Sequence, residues 1–305
     1  MVDPQLIAIE PRQFQPYVTA VESAGARVAA MSADVGALIW TDYARPHLLE
    51  QLLDENPQVK WVQLPYAGVD AFEKSIKRNI HFTSAKGSYR EPVAEHALML
   101  AMALGRKLAD RVRATAWGKK FAVSLYDSKV LIVGGGGITE ELIKLLAPFR
   151  AEITVIRNRV EALEGATRVL PLSNLDEELV ASDFVFLACA LTESTKDLFN
   201  LARFRAMNSA AYLINIARGP VVVTEDLITA LNSGMIAGAA LDVTDPEPLP
   251  VGHPLWQASN VLITPHTADT DAQVLRLFSI RLVENTKAYL GQGEWVGTVD
   301  SKLGY

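Results

Sequence analysis

A run of four glycines is the first feature of this chain whose residue types and spacing suit a specific chemistry. The run starts at Gly134, follows the apolar stretch Val130–Val133 and precedes a stretch typical of a helix, Glu140–Leu146. A glycine turn between a strand and a helix lets the backbone approach a pyrophosphate, and the helix N-terminus attracts that anion. Gly134 and Gly136 stand where a dinucleotide site needs them. A flexible turn without a ligand is the alternative.

Two further features, one at Thr139 and one formed by Arg157 and Arg159, concern the cofactor. Thr139 stands where the third glycine of the pattern is expected, so it should push the helix slightly away from the strand or be absorbed by a small neighbour. After the predicted strand Ile153–Ile156 come Arg157 and Arg159, with no acidic residue between them. Arginine there accommodates a ribose 2′-phosphate, whereas a carboxylate binds the 2′-hydroxyl. The pattern favours NADP over NAD, with solvated surface arginines as the alternative.

Short apolar stretches alternate with amphipathic ones along nearly the whole chain, which predicts an α/β protein with parallel sheets covered by helices. The strands expected before residue 90 are Leu6–Ile9, Arg27–Ala30, Ala37–Trp40, Trp61–Leu64 and Ile80–Thr83. Six more are expected later, at Lys129–Val133, Ile153–Ile156, Phe184–Ala188, Ala211–Ile216, Gly238–Asp242 and Val261–Ile263. The second series suits a doubly wound dinucleotide fold.

The domain boundary is expected at an unusually apolar helical segment, residues 91–106. Its apolar residues cover nearly every face, so it should be a buried helix. A long helix, Asp271–Leu290, comes too late to extend the second sheet and should return to the first domain. We therefore predict a dinucleotide-binding Rossmann domain, residues 96–270, inserted into a flavodoxin-like substrate domain of residues 1–95 and 271–305.

Composition narrows the function classes. The chain has 305 residues, half of them apolar, and a formal net charge of -6, so no broad basic surface for nucleic acid or anionic lipid is expected. The single cysteine, Cys189, fits a reducing compartment. No Cys/His cluster has zinc spacing, and the most apolar helical run, Ala97–Gly105, is too short for a membrane span. We predict a cytoplasmic protein acting on small molecules, without metal, nucleic-acid or membrane partners.

Several sequence blocks resemble the D-isomer-specific 2-hydroxyacid dehydrogenase family, which includes glyoxylate/hydroxypyruvate reductases. In chain order they are Val62–Asp70, Val93–Ala97, the glycine loop, Ile214–Gly219, Ala239–Val243, Glu247–Pro250 and Thr264–Ala268. The resemblance spans most of the chain. It implies two doubly wound domains with the substrate between them, a nicotinamide cofactor and a homodimer.

The resemblance assigns catalysis to Arg218, Glu247 and His266. Reduction of a 2-oxo acid asks for these residue types. A guanidinium holds a carboxylate bidentately and polarises the neighbouring carbonyl. A protonated imidazole delivers a proton to the carbonyl oxygen, and a carboxylate paired with the other ring nitrogen favours the imidazolium.

The resemblance also implies binding residues. The backbone N–H groups of Ala67 and Gly68 would bind the substrate carboxylate together with Arg218. The cofactor would be bound by the glycine loop with Gly137 and Ile138 at the pyrophosphate, by Cys189 and Ala190 at the nicotinamide ribose, by Ala217, and by Asp242 at the carboxamide.

The function expected from these residues is reduction of a small 2-oxo acid, such as glyoxylate, hydroxypyruvate or pyruvate, with NADPH favoured and NADH possible. A dinucleotide-sensing co-regulator of the same fold is the alternative. A transfer enzyme with a glycine loop and no redox step is a third hypothesis. His96, on the apolar helix, is expected to be a buried structural residue.

Overall fold

The computed structural model describes residues 2–301. Contacts divide the chain into two compact units, one reaching Tyr89 and resuming at Thr270, the other comprising Arg90–Asp269. The division falls where the apolar helix begins, whereas the sequence analysis places it inside that helix, after residue 95. The helix is continuous and belongs wholly to the second unit. The roles of the two units as substrate and dinucleotide domains stay a prediction.

The strands are β1 Asp3–Glu10, β2 Arg27–Val28, β3 Val35–Trp40, β4 Trp61–Gln63, β5 His81–Thr83, β6 Lys129–Val133, β7 Glu152–Ile156, β8 Arg168–Leu170, β9 Phe184–Leu187, β10 Tyr212–Asn215, β11 Gly238–Leu241 and β12 Val261–Ile263. The α-helices are α1 Gln15–Ser23, α2 Pro46–Glu55, α3 Glu73–Ile76, α4 Arg90–Gly105, α5 Leu108–Arg113, α6 Gly137–Leu146, α7 Leu175–Leu179, α8 Leu201–Ala206, α9 Thr224–Asn232 and α10 Asp271–Tyr289.

The first unit is built on a parallel sheet in the order β2-β1-β3-β4-β5, the flavodoxin-like order. Helix α10 joins this unit although it lies far along the chain. Phe278 of α10 packs edge-on against Tyr17 of α1, with ring centroids 5.1 Å apart. Buried Asn285 donates to Gln63 Oε1 at 2.6 Å, and the Arg281 guanidinium donates to the Ser84 carbonyl at 2.9 Å. These bonds connect the helix to β4 and to the segment after β5.

The second unit contains a parallel seven-stranded sheet in the order β12-β11-β10-β9-β6-β7-β8. Counted from β6, the first six strands have the Rossmann order, and the order reverses between β6 and β9. The prediction of two doubly wound parallel-sheet α/β domains is confirmed. Strand β8 was not expected, because this three-residue edge strand includes exposed Arg168 and lacks a long apolar run.

Both faces of the second sheet are covered, as parallel sheets require. Along β10, Tyr212 and Ile214 pack with residues of α4 and α6, whereas Leu213 between them packs with residues of α7 and α9. Because both faces of the sheet are buried, most of its polar side chains lie at the ends of the strands. Among residues 2–301, no helix combines the length and apolar character needed to cross a bilayer.

Candidate active site

The glycine loop lies at the point where the strand order of the second unit reverses. Gly134 follows β6 with a φ of +116°, and a Cβ there would stand 2.4 Å from the Ala188 carbonyl oxygen after β9. Only glycine fits this position. At Gly136 a Cβ would meet no neighbouring atom, so that side of the loop is open, and α6 begins at the next residue. The loop has the form of an anion cradle at a helix N-terminus.

The side chain of Thr139, at the third glycine position, is accommodated next to the loop. It is fully buried, and its hydroxyl donates a 2.9 Å hydrogen bond to the Gly134 carbonyl. The bond joins the first turn of α6 to the end of β6. A polar β-branched residue is therefore accommodated because its hydroxyl has a backbone acceptor.

The two arginines after β7 differ in their surroundings. The Arg157 side chain lies against the glycine loop, since a Cβ at Gly135 would be 2.6 Å from its Cδ. Within the described chain, Arg157 forms no ion pair with a carboxylate. Arg159 is 75% exposed at its side chain and lies 3.9 Å from Glu161. Arg157 is therefore the arginine placed beside the loop, and its charge is not neutralised by a neighbouring acid.

The residues predicted to be catalytic come together where three neighbouring strands end. Arg218, Glu247 and His266 follow β10, β11 and β12, respectively. The backbone N–H of His266 donates to the Asp242 carbonyl at 2.8 Å, which joins the last two loops. The imidazole Nδ1 then donates to Glu247 Oε1 at 2.7 Å.

Electrostatics favour the ionised forms of both His266 and Glu247. The hydrogen bond that His266 donates to Glu247 raises the pKa of His266 above its ordinary value, although burial and the charge of Arg218 oppose the rise. Burial would raise the pKa of Glu247, but the bonds from His266 and the Thr244 N–H, with the charge of Arg218, bring this pKa below its usual value. The site can therefore present a protonated imidazole supported by a carboxylate.

Backbone packing positions Arg218. The buried carboxamide of Asn215 donates to the Arg218 carbonyl at 3.1 Å and accepts from the Ala217 N–H at 3.0 Å. A Cβ at Gly219 would lie 1.9 Å from the Thr244 carbonyl oxygen, so the Arg218 loop and the Glu247 loop touch backbone to backbone. The sequence analysis gave Asn215 no role. Its position at a strand end, shortly before Arg218 and Gly219, could have indicated that it supports the loop that carries Arg218.

Asp242 is a buried carboxylate whose two oxygens differ. Its Oδ1 accepts from the Thr264 hydroxyl at 2.6 Å and from the Thr267 N–H at 2.9 Å. Burial would raise the pKa of Asp242, but hydrogen bonds from His96, Thr264 and Thr267 hold the pKa below its usual value. No residue of the described chain hydrogen-bonds to Oδ2, which leaves that oxygen available to accept.

His96 also lies beside Asp242, a contact that sequence reasoning missed. The two side chains approach to 3.3 Å between Nε2 and Oδ1, and Nε2 is 3.0 Å from the Thr264 hydroxyl. His96 and Thr264 are 168 residues apart in the chain. No local pattern could have brought them together.

The remaining predicted site residues have simpler surroundings. The backbone of Cys189 lies next to Gly134, and burial raises the pKa of its thiol to about 11, so the thiol stays protonated at neutral pH. The carbonyl of Ala190 accepts from the Thr195 hydroxyl at 2.7 Å. Ala67 and Gly68 follow β4 in the first unit, where Ala67 is exposed. Their role in substrate binding stays a prediction.

These features fit a dinucleotide with an amide-bearing ring. The loop requires glycine where the backbone approaches β9, a cationic side chain lies beside it, and Asp242 Oδ2 is available as an acceptor. A pyrophosphate, a phosphorylated ribose and a carboxamide are the matching chemical groups.

Residues 96–268 match the sequence model of a family described as D-isomer specific 2-hydroxyacid dehydrogenase, NAD binding domain. A glyoxylate reductase from Thermofilum pendens is 34% identical over 254 residues, covering 79% of this chain and 74% of the relative. The human glyoxylate reductase/hydroxypyruvate reductase is 32% identical, covering 80% and 78%, respectively.

A solved structure extends the likeness to the whole fold. The D-isomer specific 2-hydroxyacid dehydrogenase from Xanthobacter autotrophicus Py2, in complex with NADPH and MES, has a TM-score of 0.85 and 28% identity. The match covers 98% of this chain and 99% of that one.

Proposed function

This chain belongs to the D-isomer specific 2-hydroxyacid dehydrogenase family and is an NAD(P)-dependent oxidoreductase acting on CH-OH groups; we propose that Arg218, Glu247 and His266 carry its reaction. The observation that carries this assignment is the 2.7 Å contact between His266 Nδ1 and Glu247 Oε1, near enough to Arg218 for its charge to act on both.

A reduced nicotinamide cofactor bound at this site would supply the hydride that reduces the 2-oxo carbon. His266 donates a proton to the carbonyl oxygen, which gains negative charge in the transition state. Glu247 favours the charged imidazole and orients the ring through Nδ1, leaving Nε2 to act on the substrate. Arg218 binds the substrate carboxylate and stabilises the developing charge.

The proposed cofactor is NADPH, with NADH as a poorer substitute. Arg157 supports this preference because its side chain lies beside the glycine loop and has no carboxylate partner in the described chain. A guanidinium there attracts a 2′-phosphate, and the gain is retained because no internal ion pair must first be broken. The NADPH in the solved Xanthobacter relative supports the same choice.

Glyoxylate and hydroxypyruvate are the proposed substrates, followed by pyruvate. The names of the archaeal and human relatives support them. Ala67 and Gly68 are proposed to bind the substrate carboxylate through their backbone N–H groups. The D configuration of the product is proposed from the family.

The test is oxidation of NADPH and of NADH, followed by absorbance, with glyoxylate, hydroxypyruvate, pyruvate and phenylpyruvate. We expect turnover that prefers NADPH as the cofactor and glyoxylate and hydroxypyruvate as the substrates. Arg218→Ala should be nearly inactive while its affinity for NADPH is unchanged. Full activity of Arg218→Ala would remove that residue from the proposed mechanism, and binding without turnover of any acid would contradict the proposed substrates.

A homodimer is proposed from an exposed apolar segment of the second unit. Large apolar side chains stand in solvent along α4, α5 and the chain after them. They are Met99, Met102, Leu108, Val112, Trp117 and Phe121, of which Trp117 is fully exposed. Exposed large apolar side chains concentrated in one segment of the chain are typical of an interaction surface.

Charge favours a second copy of this chain as the partner. Residues 106–120 contain six lysines and arginines and one aspartate, whereas the whole chain carries a net charge of -6. A basic apolar segment would therefore be attracted to the acidic remainder of another copy. The cytoplasm is the proposed location, because the single cysteine, Cys189, cannot form a disulfide within the chain, which fits a reducing compartment.

A further inference from the structure

His96 is linked to the proposed cofactor site through two other side chains. We propose that His96 is a positioning residue: through Thr264 it holds the carboxylate of Asp242 so that Oδ2 stays available to the nicotinamide carboxamide. This inference rests on the proposed function, in which Asp242 accepts a hydrogen bond from that carboxamide.

The three side chains form a compact, largely buried group. His96 Nε2 is 3.0 Å from Thr264 Oγ1 and 3.3 Å from Asp242 Oδ1. The side chain of His96 is 12% exposed and that of Asp242 is 2% exposed. Hydrogen bonds are strong in such surroundings, and an unpaired polar atom is costly.

The hydrogen atoms available fix the direction of the network. Thr264 has one hydroxyl proton, which it donates to Asp242 Oδ1 at 2.6 Å. Its oxygen must therefore accept from His96, so Nε2 carries a hydrogen. The main order is His96 to Thr264 to Asp242. The longer 3.3 Å contact from Nε2 goes directly to Asp242 Oδ1, and the Thr267 N–H adds a further donor to Oδ1.

All hydrogen bonds to this carboxylate from the described chain thus go to Oδ1. This one-sided arrangement prevents the carboxylate from turning and exchanging its two oxygens. Without the donor on His96, the Thr264 hydroxyl loses the bond that orients it, and the preference of Asp242 for one orientation weakens. The contact from Oδ2 to a carboxamide N–H should weaken with it.

The experiment compares two cofactors by equilibrium binding, measured from quenching of tryptophan fluorescence. One is NADPH, and the other is its 3-acetylpyridine analogue, in which a methyl group replaces the carboxamide NH₂. The unmodified protein should bind the analogue about tenfold more weakly, the effect of one hydrogen bond to a charged acceptor. His96→Leu should reduce this ratio to about twofold, because the remaining acceptor is poorly oriented.

Three further variants separate positioning from general damage. His96→Gln keeps an N–H donor and should restore most of the ratio. His47→Leu changes an exposed histidine of the first unit and should keep the full ratio. Thr264→Val removes the middle hydroxyl of the same network and should reduce the ratio as His96→Leu does. If His96→Leu does not fold, Thr264→Val provides the test of the network.

A folded His96→Leu or Thr264→Val protein with the full ratio would overturn the positioning role and leave the role of Asp242 intact. A substitution that weakens the binding of both cofactors equally would show a structural effect only and would also overturn the positioning role. Equal binding of the two cofactors by the unmodified protein would overturn the proposed contact of Asp242 itself, and the positioning role with it.

Discussion

At the scale of single residues, we expect the pair formed by His266 and Glu247 to determine the pH range of the proposed reaction. The folded pKa of His266 is raised, so the ring keeps its proton above the usual range and loses it as pH rises through that pKa. We expect kcat/KM for reduction to be high below this pKa and to fall above it. Glu247→Gln removes the charge, so the fall should move to lower pH.

The measurement is a pH profile of kcat/KM for the unmodified protein and for Glu247→Gln. His266→Ala should lower kcat by about 10²- to 10⁴-fold, the usual contribution of a general acid, with NADPH binding unchanged. A profile of Glu247→Gln that coincides with that of the unmodified protein would show that the carboxylate does not control the proton of His266.

Also at the scale of single residues, we expect Arg157 and Arg159 to contribute separately to the choice between NADPH and NADH. Arg157→Asp places a carboxylate beside the glycine loop, where it should repel a 2′-phosphate and accept from a 2′-hydroxyl, so the ratio of kcat/KM for NADPH to that for NADH should fall by at least tenfold. Arg159→Asp is the matched control, with a smaller expected effect because this side chain is mostly exposed. Equal effects of both changes would point to long-range charge instead.

At the scale of elements, the contact between the loops after β10 and β11 brings the proposed catalytic residues Arg218 and Glu247 together. Gly219→Ala should force the loop after β10 away from the Thr244 carbonyl, since the added carbon would stand 1.9 Å from that oxygen. Overpacking of this kind costs about 1–3 kcal/mol of unfolding free energy. Because the Thr244 N–H also bonds to Glu247, kcat should fall as well.

Thermal unfolding and steady-state kinetics measure these two effects. Gly118→Ala is the control, because a Cβ at Gly118 would meet nothing within 4 Å. Its melting temperature and kcat should equal those of the unmodified protein. An equally stable and active Gly219→Ala protein would mean that the two loops do not depend on this contact.

At the scale of the whole molecule, the exposed apolar segment predicts the state of assembly. Light scattering coupled to size-exclusion chromatography should give the mass of a dimer. Trp117→Lys should shift the protein towards monomer, because it places a charge in the proposed interface. Val251→Lys changes another fully exposed apolar residue and should remain dimeric. A monomeric unmodified protein would contradict the proposed homodimer.

Much of the fold and part of the site follow from local sequence. The alternation of apolar stretches predicts two parallel sheets, and β6, the glycine loop and α6 are adjacent in the chain, so their order alone predicts an anion cradle. The edge strand β8 escaped prediction because a short, half-buried strand carries little apolar pattern. The positions of the proposed catalytic residues were predictable only through a family resemblance.

The sequence by itself determined features that depend on neighbouring residues: backbone freedom at Gly134, helix and strand periodicity, and the arginines that follow β7. Only the tertiary structure decided which side chains from distant segments contact each other. The contact between Glu247 and His266, and that between His96 and Thr264, join segments that meet only because their strands or helices pack side by side. Such contacts depend on the packing of whole elements, which spacing along the chain does not encode.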